Sequence, residues 1–143
     1  MYKVHDTLAS CKYFIDNEYL EKYCQLIEHN KRTKLIPKHT HKHHILPKSW
    51  FKLNNQEINN FLNNLVNLSC TDHFLAHYYL CLCTEDPFRY ANELALICLE
   101  SKKFVSESEL LMLHNLPMYN TIYEDYQSKV NTKYKLYENK VTR

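Results

Sequence analysis

A chain of 143 residues without one glycine cannot lean on the left-handed turns that close tight β-hairpins. Those turns need positive φ, which a residue with a Cβ adopts only at a cost. Sandwiches and barrels rich in tight hairpins are therefore disfavoured, and helices joined by longer connections are expected. A hydrophobic content of 45% is enough for a core of ordinary size, so one domain spanning residues 1–143 is expected.

Periodicity places the elements. Phe14, Tyr19, Leu20, Tyr23, Cys24 and Ile27 recur at three- and four-residue steps, which predicts a helix over 6–30, with Asp16 or Asn17 able to cap its second part. Pro37 marks 33–40 as a linker. Residues 42–49, KHHILPKS, read as a short strand that Pro47 turns into a loop. Residues 50–63 read as an Asn-rich connection with room for a helical turn. Leu65 to Leu68 alternates as a second strand that can pair with the first. Ser69 and Asp72 fit a capping pattern that opens a helix over 70–84. Asp86 and Pro87 start an apolar helix ending near Lys103, Ser106 to Glu109 is a further capping box, and 119–140 reads as a Tyr- and Lys-rich terminal helix.

Charge is uneven along the chain. From Lys31 to Gln56 there are seven basic residues, four histidines and no acidic residue. Charge blocks of this kind are usually solvated surface, but a block around a histidine cluster suits a polyanion. The six cysteines include no CxxC pair and read as small reduced core residues rather than a disulfide framework. Cys81 and Cys83 stand two apart on a helix, which is poor chelating geometry, and a second metal is not expected. There is no long apolar run and no leader-like N-terminus, so a cytoplasmic protein without membrane attachment is expected, in a host cell's cytoplasm if phage-encoded.

The histidines carry the chemistry. His43 and His44 open one stretch, and His73 and His77 close it. Imidazoles four residues apart share a helix face and can chelate one ion. If the intervening chain returns as a hairpin, three or four imidazoles converge on one point, which is the shape of a metal site. On its own, a His-x-x-x-His pair is more often incidental. His39, His41 and His114 read as surface or linker residues, with His41 a spare phosphate contact, and His5 and His29 are given no role.

The segments HHILPKSW and NLVNLSCTDHFLAHYYL resemble the HNH nucleases of the ββα-metal fold, especially the small phage and homing-type members. That family's pattern runs HHI-x-P, then N-L-V-x-L, then a helix bearing H-x-x-x-H. Asn64, His73 and His77 also keep the intervals seen in nuclease colicins. The family's glycine pair after the proline is replaced here by SWFKLNN, and the loop from His44 to Asn64 is longer.

The resemblance implies an α+β, mostly helical protein. A central ββα-metal module at 39–84 would be flanked by an N-terminal helical element and linker, 1–38, and a C-terminal helical part, 85–143. It implies an endonuclease hydrolysing DNA, double-stranded most of all. His44 would be the general base, and His43, His73 and His77 would hold one divalent ion. Asn64 would hold the strand–strand loop by backbone contacts or orient the His44 ring. Mg²⁺ or Mn²⁺ would support turnover, whereas Zn²⁺, Ni²⁺ or Co²⁺ would bind an all-histidine set more tightly. Lys42, Lys48 and Lys52 bracket the first strand and would contact phosphates without reading sequence. One such site nicks one strand, so cutting both at once would need a homodimer. Two other readings use the same residues: a non-catalytic nucleic-acid-binding module whose four imidazoles close a structural Zn²⁺ site, and a toxin or defence nuclease with an inhibitor partner.

Overall fold

The computed structural model of the chain describes residues 3–33, 40–59, 62–100 and 105–141. It corrects the single helix expected over 6–30, which is two helices, α1 (Lys3–Ala9) and α2 (Glu18–Thr33). Tyr13 takes a left-handed φ of 72°, and the chain beside it pairs with a distant segment. Ile15 N–H donates to the Cys83 carbonyl at 2.8 Å, and Glu85 N–H donates to the Tyr13 carbonyl at 2.9 Å. Asn17 then starts α2, its side-chain oxygen taking the Tyr19 and Leu20 amides at 3.0 and 3.1 Å. Its amide group donates to the Leu82 carbonyl at 3.0 Å.

The remaining elements follow in order. Strand β1 (His41–His44) leads into α3 (Lys48–Leu53), and a 3₁₀ turn at Leu62–Asn64 leads into β2 (Leu65–Leu68). Next come α4 (Cys70–Leu82), α5 (Phe88–Ile97) with a 3₁₀ turn at Cys98–Glu100, α6 (Glu107–Asn115) and α7 (Tyr119–Val141). The protein is thus mostly helical with a small two-stranded antiparallel sheet, an α+β arrangement. Most of the expected linker, 34–39, and the expected helix end at Lys103 lie outside the described residues. Among those described, no helix is long and apolar enough to cross a membrane.

α4 is the centre of the packing. Ser69 caps it by accepting the Asp72 amide at 3.2 Å, and one side of it carries Ala76 and Leu80 into a core with Leu8, Leu20, Tyr23, Ile27, Val66 and Leu68. Its other side carries Phe74 and Cys81 against Leu96, Leu113, Tyr119 and Tyr126 of α5, α6 and α7. Each large apolar side chain so enclosed contributes about 1.5–3 kcal/mol. Between the strands, Trp50 and Phe51 of α3 pack on Phe88, and the indole N–H donates to the Lys12 carbonyl at 2.8 Å. With no glycine to use, the other left-handed positions among the described residues fall on Asn55 and Met118.

Glu93 of α5 is only 2% exposed, and Lys133 of α7 closes on it while also reaching Asp86 at 3.0 Å. Breaking a buried pair from one side leaves an uncompensated charge, so Lys133→Ala is expected to cost about 3 kcal/mol in urea unfolding. Adding Glu93→Gln should recover part of it. A loss under half a kcal/mol would mean that water already serves Glu93.

Candidate metal centre

β1 and β2 pair antiparallel, with His43 opposite Val66 and His44 opposite Leu65. Side chains alternate along a strand, so His41 and His43 share one face while Lys42 and His44 share the other. His43 is buried, His44 half-buried and Lys42 exposed. The His43 face meets α4, where a four-residue step stacks His73 and His77 on adjacent turns. Ring centroids are 5.5 Å apart for His43 and His73, 5.3 Å for His43 and His77, and 4.7 Å for His73 and His77. One ring nitrogen from each of the three lies within 4.8 Å of the other two. His73 Nε2 and His77 Nε2 are 3.0 Å apart, close to the separation of about 3 Å that two nitrogens adopt around an ion bound at about 2 Å.

A residue of α2 fixes the His43 tautomer. The Tyr23 hydroxyl donates its one proton to the Ile45 carbonyl at 2.6 Å. Its oxygen, 2.8 Å from His43 Nε2, must then accept from that nitrogen. This assigns the ring proton to Nε2 and leaves the lone pair on Nδ1, the arrangement a ligating histidine requires. His77 Nδ1 is enclosed and has no hydrogen-bond partner among the described residues, so the only ring contact bearing on that tautomer among them is the one its Nε2 makes with His73 Nε2.

Burial keeps all three rings neutral. Enclosure holds His43 well below the ordinary histidine range, with His77, His73 and His44 as neighbouring cationic sites adding to it. Burial, then His77 and His41, lower His73 to about 2, and burial lowers His77 to about 4. Neutral imidazoles present lone pairs at physiological pH, so the donor set fits a divalent cation of the zinc, nickel or cobalt type.

His41 does not sit in a linker. It stands two residues before His43 on the same strand face, its Nδ1 is 2.9 Å from His73 Nδ1, and its Nε2 is 2.8 Å from Glu109 Oε2. The period-two spacing from His43 was the signal that could have placed it there. No comparable signal marks Tyr23, which reads as part of an apolar helix stripe, or Glu109, which reads as a helix cap.

Asn64 is buried and ties the loop that leaves β1. Its backbone carbonyl accepts the Ile45 amide at 2.9 Å, its side-chain oxygen accepts the Leu46 amide at 2.9 Å, and its side-chain amide donates to the Asn59 carbonyl at 2.8 Å. These are contacts to backbone, made where the chain leaves His44. Lys42, Lys48 and Lys52 are exposed, and no ligand atom of His44 belongs to the three-histidine group.

No family model, curated protein or solved structure matches this chain. The functional reading therefore rests on the residues themselves. Tyr23→Phe tests the proposed tautomer lock: it leaves His43 Nε2 and the Ile45 carbonyl without their partner. It is expected to weaken metal binding about 10–100-fold with a stability loss of about 1–3 kcal/mol. Calorimetric titration with Zn²⁺ checks this, and unchanged affinity would remove Tyr23 from the site.

Proposed function

We propose that the chain is a metal-dependent endonuclease of the HNH type, with β1, β2 and α4 as its ββα-metal module and DNA as its substrate. The observation that supports this best is the convergence of His43, His73 and His77 on one point, with His44 next in the chain on the opposite face of the same strand. His43, His73 and His77 hold the ion. When bound, the ion supplies the counter-charge that a phosphodiester needs as it gains a fifth oxygen and loses an alkoxide.

His44 takes the proton from the attacking water, a task suited to an imidazole near neutral pH. The strand's alternation keeps it off the ion, so its lone pair serves as a base rather than as a ligand. Asn64 braces the backbone just after His44 and fixes where that base is presented. Lys42, Lys48 and Lys52 meet backbone phosphates, which positions the duplex and makes binding fall with salt.

The test is cleavage of supercoiled plasmid across Mg²⁺, Mn²⁺, Zn²⁺, Ni²⁺ and Co²⁺. Nicked circles in Mg²⁺ or Mn²⁺, lost on chelation with the protein still folded, are expected. Folded, metal-loaded protein that cuts no DNA under any of these ions would sink the nuclease and favour the structural-metal reading.

A further inference from the structure

We propose that His41, Cys70 and Glu109 form a second metal site, for a zinc-like ion that accepts a thiolate, which fastens α6 to β1 and to the start of α4. One donor atom from each of the three lies within 4.8 Å of the other two. They come from three elements far apart in sequence: His41 from β1, Cys70 as the first residue of α4, and Glu109 from the first turn of α6. The site does not depend on the nuclease reading.

Neither tautomer of a neutral His41 gives this corner an aligned hydrogen bond; only a ring carrying both protons would pair with the carboxylate by charge. His41 Nε2 is enclosed and makes no aligned hydrogen bond, although Glu109 Oε2 lies 2.8 Å away. A lone pair there faces a carboxylate and is repelled, and an N–H there points off the oxygen. A cation among nitrogen, oxygen and sulfur answers all three groups. The carboxylate is also held in place beforehand. Its Oε1 accepts the Ser106 amide at 3.1 Å in the capping box of α6, which leaves Oε2 for His41.

Cys70 is 3% exposed, and burial, with the Glu109 carboxylate beside it, pushes its thiol up to about 11, so the sulfur stays protonated until an ion displaces the proton. Its place at the start of a 13-residue helix favours the thiolate so formed. On binding, the sulfur–metal bond forms as the thiol gives its proton to solvent, with no change of oxidation state. Mixed nitrogen, sulfur and oxygen donors suit Zn²⁺ or Co²⁺, while Mg²⁺ keeps to oxygen.

The two sites touch through one hydrogen bond. His41 Nδ1 and His73 Nδ1 are 2.9 Å apart and hold a single proton between them. An ion on the Nε2 of each ring asks both Nδ1 atoms to carry a proton, and only one fits. The second ion therefore binds more weakly while the first is in place.

Titrating the reduced full-length protein with Co²⁺ in the near ultraviolet tests this, because a thiolate ligand gives a sulfur-to-cobalt charge-transfer band that imidazoles do not. The band is expected in the unmodified protein and lost in Cys70→Ala. In Glu109→Gln it should need about tenfold more Co²⁺; the glutamine keeps the capping box, so that shift cannot be assigned to a lost α6. His77→Ala, which weakens the first site, should keep the band and reach half-height at lower Co²⁺. No band at saturating Co²⁺, or one that survives Cys70→Ala, overturns the site, and an unchanged half-height in His77→Ala overturns the linkage. The readout follows Cys70 and not DNA cleavage, so the two readings fail separately.

Discussion

His44→Ala is expected to lower DNA cleavage by roughly 10²–10⁴-fold while the metal affinity of the protein stays as it was. The two halves of this result come from one strand. His43 and His44 are adjacent, so their side chains leave β1 on opposite faces, and the three rings that gather beside α4 include His43 but not His44. Removing a ligand should lower affinity and cleavage together, whereas removing a base leaves the ion in place and slows the chemistry. His73→Ala supplies the contrast, since it should lose both. Plasmid nicking and calorimetric Zn²⁺ titration on the same preparations decide the matter. If His44→Ala cuts at the unmodified rate, or if it loses the ion as His73→Ala does, the division of labour is wrong.

The metal-free protein should lose stability steeply as pH falls below about 6.5. An exposed histidine in the unfolded chain takes up a proton near pH 6.5, whereas the folded protein holds His77 at about 4, His73 at about 2 and His43 well below the ordinary range. Between those values the unfolded state binds more protons, so unfolding free energy rises with pH through the window and falls on acidification. Each such histidine contributes a slope of up to about 1.4 kcal/mol per pH unit. Together they exceed the margin of a typical domain within two or three units. Chelator-treated protein unfolded in urea at a series of pH values from 7 to 4 tests this, with the steepest loss expected from about pH 6 downward. A flat profile to pH 4.5 would show that the cluster accepts protons readily and is more open than its burial indicates. Saturating Zn²⁺ should move the loss to lower pH, because an ion occupies the lone pairs that protons would otherwise take.

How much of this was legible follows the range of the interactions. β2, the Ser69 cap and the Ser106–Glu109 capping box could be read directly, since each depends on side chains within a few residues. The His73 and His77 pairing was legible for the same reason, being set by helical spacing. The break between α1 and α2 was not, because Tyr13 and Ile15 are held by Glu85 and Cys83, and nothing in the local apolar rhythm announces a partner seventy residues away. Tyr23 shows the limit most clearly. Its place on the buried stripe was evident, yet its hydroxyl matters only because Ile45 and His43 arrive beside it. Asn64 lay between, since its position was marked while its backbone partners were one of two options until the loop was seen.

The shortness of the sheet has a kinetic consequence. Two strands of four residues do not persist as a free ribbon in water, so β1 gains a lasting place only when α2 and α4 are ready to receive it. Closing the intervening loop costs chain entropy that those contacts must offset. The face bearing His41 and His43 should therefore be among the last to assemble and the first to let go, with its amide protons exchanging by local detachment before the helices open. An ion spanning β1 and α4 would then act as a latch on the step that completes folding.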